Sequence, residues 1–187
     1  MSGCRKLLDS EIDLIKTKFK TQRDRTLFIV GYRTGLRISE LLSIKIKHIY
    51  NFDRVLDYVR LERDLVKSKT EAKEIVLHDE AKNEIEKLLG TFDSLDPDQY
   101  LFKSTKFDNK AISRIYAYKV LKGIANGLQL QGKVATHSMR KTLGQKIYKM
   151  SGNDLLVTQR ALNHKDISST IRYLDVNKDE VDELILK

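Results

Sequence analysis

The sequence predicts a single α+β domain that is mainly α-helical and carries a small antiparallel β-sheet. Its 187 residues include one proline and nine glycines, so few positions would interrupt a helix. Apolar residues recur at helical spacing along most of the chain. In a short stretch around residues 56–77, apolar and polar residues alternate instead with the two-residue period of a strand. This length suits one domain with a substantial core, and we expect residues 1–187 to form one unit.

The first half of the chain carries two helical patterns and the strand alternation. A capping-box pattern at Ser10, in SEID, predicts the start of the first helix. A second helix is predicted over residues 25–33, ending near Gly35. Within residues 56–77, two β-patterned runs flank the segment SKTEAK, which predicts a hairpin with a lysine-bearing turn.

The second half carries further helical patterns separated by turn-rich segments. The segment GTFDSLDPDQ has the composition of a surface loop. Helices are predicted at residues 80–89, 111–126, 138–150, 153–162 and 167–174. A tail helix at about residues 177–186 would carry an apolar stripe of Val181, Leu184 and Ile185, which needs a surface to dock on.

The composition favours a polyanionic partner inside a cell. The chain has 35 Lys and Arg against 26 Asp and Glu, a net charge of +9, although small soluble domains that bind nothing also reach such values. Cys4 is the single cysteine, which excludes an internal disulfide and a zinc site built on paired cysteines. The sequence shows neither a signal peptide nor a run of about 18 apolar residues, so we expect a soluble cytoplasmic protein without a membrane partner.

Two segments place basic side chains where a phosphate could bind. TGLRISELL puts Arg37 directly after a glycine turn, on an element anchored in the core. THSMRKTLG puts His137, Arg140 and Gly144 in one stripe of a helix, where a residue without a side chain would let a phosphodiester approach two donors. Taken alone, Arg37 is more commonly an ordinary surface charge. The second segment is equally compatible with a capped amphipathic helix that carries a solvated arginine.

A third segment, ALNHKDISSTIRYLDV, carries a histidine and a tyrosine nine positions apart. His164 would end one helix and Asp166 would cap the next, which leads to Tyr173. A tyrosine at helical spacing is more commonly a half-buried core residue than a nucleophile. The residues that accompany Tyr173 therefore decide its role.

Together these segments resemble the catalytic domain of the tyrosine recombinases of the phage integrase type. The matching residues are Arg37 in TGLRISE, His137 and Arg140 in HSMR, His164 in LNHKD, and Tyr173 in STIRYLDV. They occur in the family's order over about residues 8–175. One departure is Asn163, where the family usually has glycine; asparagine is the next-best residue for a left-handed helix cap.

The resemblance implies covalent breakage and rejoining of DNA. Tyr173 would attack the scissile phosphate and form a 3′-phosphotyrosyl bond, with His137 assisting the loss of its proton. Arg37 and Arg140 would bind the non-bridging oxygens, and His164 would add a hydrogen bond. The bond energy is kept in the phosphotyrosine, so the resemblance implies no metal, ATP or other cofactor, and the sequence contains no carboxylate cluster of the two-metal type.

Further site residues are also implied by the resemblance. The family uses a lysine on a β-turn to protonate the leaving 5′ oxygen, and SKTEAKEIVLH is similar to that segment. Lys69 is our first choice for this acid, with Lys67 and Lys73 as alternatives. Glu40, in RISE, matches an acidic position that helps to hold the site together.

The implied partners are double-stranded DNA and further copies of the chain. Lys45, Lys47 and Lys141 are candidate contacts to backbone phosphates. The family, which serves phages and mobile elements of bacteria, assembles four protomers on DNA and exchanges C-terminal segments between neighbours. We expect a tetramer on DNA, while a monomer is equally compatible in its absence. Most members also carry a DNA-clamping helical domain before this one, and we expect no such core-binding or arm-binding domain within residues 1–187.

Two alternatives remain open at this point. A type IB topoisomerase shares the fold and the tyrosine chemistry but relaxes supercoils instead of joining two sites. A DNA-binding accessory module would keep the fold without the catalysis. The set of implied catalytic residues argues against the second alternative.

Overall fold

A computed structural model describes residues 3–51, 53–62, 72–171 and 173–174. The predicted α+β, mainly helical class is confirmed, and the described strands are divided over two small antiparallel sheets. The described helices are α1 (Asp9–Lys16), α2 (Gln22–Thr34), α3 (Ile38–Leu42), α4 (Asp79–Leu89), α5 (Arg114–Gly127), α6 (Thr136–Met150), α7 (Leu155–Ala161) and α8 (Ile167–Ile171), with a short 3-10 helix at Ile46–His48. Strand β1 (Tyr50–Asn51) pairs with β2 (Arg54–Val55), and β3 (Tyr58–Leu61) pairs with β4 (Lys73–Val76).

Helix α2 forms the centre of the core and packs against α4 and α6. Gly31 allows the close approach of α6, because a Cβ atom there would lie 2.7 Å from the sulfur of Met139. The helix ends at Gly35, whose φ of +61° is left-handed and whose N–H donates to the carbonyl of Gly31 at 3.0 Å. The chain therefore turns sharply just before Arg37.

The start of α1 differs from the prediction. Leu8, not Ser10, occupies the N-cap position, and its N–H donates to the carboxylate of Glu11 at 2.9 Å. Arg5 also binds Glu11, with donor to acceptor distances of 2.7 and 2.6 Å. The ion pair with Arg5 holds Glu11 against the residues that precede the helix, and the N-cap lies two residues earlier than the capping box indicated.

The predicted hairpin is present between β3 and β4, with Tyr58 opposite Val76 and Leu61 opposite Lys73. Val59 and Leu61 are fully buried, which fixes the register of the hairpin against the core. The predicted lysine-bearing turn, with Lys67 and Lys69, lies outside the described residues, as does the predicted tail helix at residues 177–186.

Helix α8 is shorter than the pattern at residues 167–174 indicated. Its cap is as predicted, since the carboxylate of Asp166 accepts the N–H of Ser168 at 3.1 Å. The helix ends at Ile171, so Tyr173 lies on the turn that follows it. The backbone N–H of Tyr173 donates to the carbonyl of Thr170 at 2.9 Å. None of the helices in the described part of the chain has the length and apolar character that a membrane span requires.

Candidate active site

Arg140 is the most deeply buried cation of the predicted site, with 1% of its surface exposed. Its guanidinium donates from Nη1 to the carbonyl of Gly35 and from Nη2 to the carbonyl of Leu162. These carbonyls end α2 and α7, where the helix dipole places partial negative charge. Burial and the charge of Arg37 lower the pKa of Arg140, yet a guanidinium stays charged at neutral pH. Two helix ends therefore fix the position of one cation.

Gly144 does not have the role that the sequence indicated. A Cβ atom at Gly144 would lie 2.9 Å from Cδ1 of Leu162, which is fully buried. The glycine thus makes room for Leu162, whose carbonyl binds Arg140, rather than for a phosphodiester. Gly144 lies on the same face of α6 as Arg140, as predicted. That face packs against Leu162 in the core at Gly144.

Arg37 lies at the N-cap of α3 and is bound to Glu40 in two ways. Its Nη1 donates to Oε1 of Glu40 at 3.0 Å, and its backbone N–H donates to Oε2 at 2.9 Å. The ammonium of Lys73 lies 3.7 Å from the same Oε2 atom. Burial alone would raise the pKa of Glu40, but Lys73 and Arg37 together lower it. Glu40 is therefore a buried carboxylate shared by two cations, consistent with its predicted supporting role.

Tyr173 lies between His137 and the buried guanidinium. Its hydroxyl is 3.3 Å from Nδ1 of His137, and its ring centre is 5.8 Å from Cζ of Arg140. The ring of His164 meets that of Tyr173 edge-on, with centroids 5.0 Å apart. The proposed nucleophile is thus in contact with one imidazole that could take its proton and close to a cation that could bind the phosphate it attacks.

His164 is placed by the end of α7. Asn163 has a φ of +48°, the left-handed conformation predicted for it, and the N–H groups of Asn163 and His164 donate to the carbonyls of Arg160 and Gln159 at 2.9 and 3.0 Å. This pair of hydrogen bonds turns His164 inward, where its Nδ1 lies 3.0 Å from the hydroxyl of the buried Thr170. Thr170 has no motif that would have revealed this contact beforehand.

The electrostatics of the site favour an anion. Burial, followed by the charges of Arg140, Arg37 and Lys73, lowers the pKa of His164 to about 4, so this imidazole is neutral at physiological pH. Among the described residues, Glu40 forms ion pairs with two of these cations, Arg37 and Lys73. In addition, Nε of Arg140 has no hydrogen-bond partner among the described residues although it is buried. A bound phosphate would supply the missing negative charge.

The structure brings together six of the predicted residues and leaves others apart or undescribed. Those assembled around the site are Arg37, Glu40, His137, Arg140, His164 and Tyr173. Lys69 and Lys67 lie outside the described residues, whereas Lys73, the third candidate, contacts Glu40. Lys45 and Lys47 both pair with Asp98, at 3.2 and 2.8 Å, so a DNA contact by either would compete with this carboxylate. The DNA contacts of Lys45, Lys47 and Lys141 stay predictions.

Sequence comparison identifies relatives that are recombinases. A probable integrase/recombinase of Bacillus subtilis, YoeC, is 35% identical over 161 residues, which cover 86% of this chain and 81% of YoeC. The tyrosine recombinase XerD of Staphylococcus aureus is 27% identical over 184 residues, 93% of this chain and 58% of XerD. The chain thus spans most of YoeC but little more than half of XerD.

Solved structures share the fold. The recombinase XerH, in a post-cleavage complex with its palindromic difH substrate, superposes with a TM-score of 0.75 at 20% identity, over 96% of this chain and 51% of XerH. The catalytic domain of bacteriophage HP1 integrase superposes with a TM-score of 0.61 at 13% identity, over 98% of this chain and 94% of that domain. The sequence model of the phage integrase family matches residues 6–180. With this match over nearly its whole length, and with the arginines, histidines and tyrosine in one site, the chain belongs to the phage integrase family of tyrosine recombinases.

Proposed function

We propose that this domain cuts and rejoins DNA through a covalent bond between Tyr173 and a 3′ phosphate. The observation that carries the proposal is the contact of Tyr173 with His137 beside the buried guanidinium of Arg140. A tyrosine that served only the core would not need an exposed imidazole on its hydroxyl and a desolvated cation under its ring.

The proposed cleavage step exchanges one phosphate ester bond for another. The phenol oxygen of Tyr173 bonds to phosphorus, its proton passes to His137, and the bond from phosphorus to the 5′ oxygen breaks. The departing 5′ oxygen takes a proton from a lysine, for which Lys69 is the choice from sequence. In the reverse step a 5′ hydroxyl of another strand attacks the phosphotyrosine and releases Tyr173.

The cations act mainly on the transition state. Negative charge grows on the non-bridging oxygens as phosphorus becomes five-coordinate, and Arg37 and Arg140 offer fixed, permanently charged donors. Arg140 needs no rearrangement for this task because two backbone carbonyls already hold it. His164, neutral before DNA binds, donates a further hydrogen bond from Nε2.

Recombination explains the comparisons better than relaxation of supercoils. YoeC and XerD are named as recombinases, and XerH, a site-specific recombinase, is seen bound to its difH substrate. A type IB topoisomerase activity therefore becomes the weaker alternative. An accessory role without catalysis is also weaker, since the site retains its nucleophile, its imidazoles and both arginines.

We further propose that the working unit is a tetramer on two DNA duplexes, in the bacterial cytoplasm where DNA lies. The support is the apolar stripe of Val181, Leu184 and Ile185 in the sequence, which could dock on a neighbouring protomer. Removal of residues 177–187 should then reduce higher-order complexes on DNA in sedimentation experiments, while cleavage by single protomers persists.

The function is tested by covalent capture on DNA of unspecified sequence. The protein is incubated with a library of nicked duplexes of random sequence, in which cleavage releases a short fragment and traps the adduct. We expect SDS-resistant protein–DNA adducts, in EDTA as well, and sequencing of the trapped DNA would reveal the preferred site. Tyr173→Phe should form none, whereas Tyr148→Phe, a matched change in α6 outside the site, should behave as wild type. Adduct formation by Tyr173→Phe would falsify the assignment of the nucleophile.

A further inference from the structure

Lys73 occupies a position that the family resemblance left among three alternatives for the leaving-group acid. It is the first residue of β4, opposite Leu61 of β3, and 7% of its side chain is exposed. Its ammonium faces Oε2 of Glu40 at 3.7 Å. Among the described residues, the other partner of the Glu40 carboxylate is Arg37, which binds both of its oxygens.

This arrangement makes Lys73 a counter-charge for a carboxylate that has no access to solvent. Glu40 is fully buried, and a buried carboxylate is tolerated only when cations and hydrogen bonds compensate for its lost hydration. Glu40 in turn fixes the guanidinium of Arg37 at the start of α3. A change at Lys73 would therefore be felt at Arg37 through Glu40.

A proton donor needs different surroundings. If Lys73 gave its proton to the leaving oxygen, Glu40 would keep its buried negative charge with one counter-ion fewer at the moment of bond breakage. Burial lowers the pKa of Lys73 to about 8, with Arg140 and Arg37 adding to this and Glu40 opposing it. A pKa of about 8 is compatible with a proton donor and with a counter-charge for Glu40, so the choice between these two roles rests on the geometry.

We infer that Lys73 is a positioning residue, which holds Glu40 and through it Arg37, and that it keeps its proton during cleavage. The inference rests on the proposed function. It also assigns protonation of the 5′ oxygen to another group, with Lys69 and Lys67 as the sequence candidates.

The first test compares two leaving groups in single-turnover cleavage of the captured site. One nicked duplex carries the ordinary 5′ oxygen at the scissile bond and the other carries sulfur, which leaves as a thiolate and needs no proton because thiols ionise near about pH 8.5. Lys73→Met should slow both reactions by the same factor, about 100-fold, as expected for a misplaced phosphate clamp. Loss of the acid, as in Lys69→Met, should slow the oxygen substrate only. If Lys73→Met cleaved the sulfur substrate at the wild-type rate, the inference would be overturned.

The second test removes the carboxylate that Lys73 is proposed to hold. In a Glu40→Gln background, adding Lys73→Met should change cleavage by no more than about twofold, since the partner is already gone. The double variant does not leave a buried Glu40 carboxylate without Lys73 opposite it, so it remains informative if Lys73→Met alone unfolds on heating. A further loss of about tenfold or more in this background would show that Lys73 acts on DNA directly. Absence of adduct with the wild-type protein would instead refute the proposed function, and the two failures are thereby distinct.

Discussion

The hydroxyl of Thr170 lies 3.0 Å from Nδ1 of His164, and the threonine is fully buried. A hydroxyl that donates to Nδ1 favours the tautomer with its proton on Nε2, which is the nitrogen left to meet a phosphate oxygen. The orientation of His164 is thus set by a side chain that need not touch DNA.

Replacement of Thr170 should therefore affect catalysis more than folding. Thr170→Val keeps the shape and removes the hydroxyl, and we expect cleavage about tenfold slower, equivalent to one hydrogen bond. Thr170→Ser keeps the hydroxyl and should cleave at nearly the wild-type rate. Single-turnover cleavage and thermal unfolding of both variants provide the measurement, and equal losses for Ser and Val would contradict the orienting role.

His164 should make the fold sensitive to acid. Its pKa is about 4 in the folded protein, against an ordinary histidine value of 6.5, so the folded state binds fewer protons between these values. Stability should fall as pH drops through this window, by about 1–2 kcal/mol from pH 7 to 5 for this group. His164→Asn removes the titration, and urea unfolding at both pH values should show a smaller loss for the variant. The same loss in both proteins would mean that other groups control the acid response.

The two arginines should differ in their effect on stability. Arg37→Ala and Arg140→Ala should each reduce cleavage by about 1,000-fold while DNA binding weakens modestly, because each donor is proposed to act mainly on the transition state. Arg140→Ala should in addition lower the free energy of unfolding by about 2–4 kcal/mol, since it leaves two carbonyls and a cavity behind. Parallel measurements of adduct formation, DNA binding and thermal unfolding test this prediction. Equal losses in DNA binding and cleavage would mean that the arginines only bind DNA and do not stabilise the transition state.

Gly144 should tolerate no side chain. A Cβ atom there meets Leu162 at 2.9 Å, so Gly144→Ala should destabilise the fold by about 1–3 kcal/mol and slow cleavage by shifting the carbonyl that binds Arg140. The control is Gly123→Ala in α5, where an added Cβ atom would have no neighbour within 4 Å among the described residues outside its own helix turn. Alanine there should raise helix stability by about 0.5–1 kcal/mol. Thermal unfolding of both variants measures these changes. If Gly144→Ala left the stability unchanged, Leu162 would be able to move aside without loss of packing.

The sequence motifs predicted the members of the site because helical spacing and helix ends determine which side chains share a face. His137 and Arg140 are three residues apart on α6, and the left-handed turn at Asn163 follows from the tolerance of asparagine for that conformation. The turn at Gly35, which delivers Arg37, was predictable for the same local reason.

What could not be predicted are contacts made by groups without a sequence signature. The carbonyls of Gly35 and Leu162 are common to every residue, so nothing in the chain marks them as the anchors of Arg140. Gly144 was misassigned because a glycine beside a functional arginine serves packing and ligand approach equally well in sequence. The pair of two-residue strands at Tyr50–Asn51 and Arg54–Val55 is too short to leave a period.

The anchoring of Arg140 also bears on when the protein becomes able to cut DNA. The carbonyls of Gly35 and Leu162 lie 105 and 22 positions from Arg140, on opposite sides of it in the sequence. A ribosome delivers Gly35 early and Leu162 late, and Tyr173 later still. A nascent chain of the first half therefore holds Arg37 but neither the second anchor nor Tyr173, the proposed nucleophile. An unfinished chain that lacks Leu162 and Tyr173 would therefore be unable to carry out the proposed cleavage.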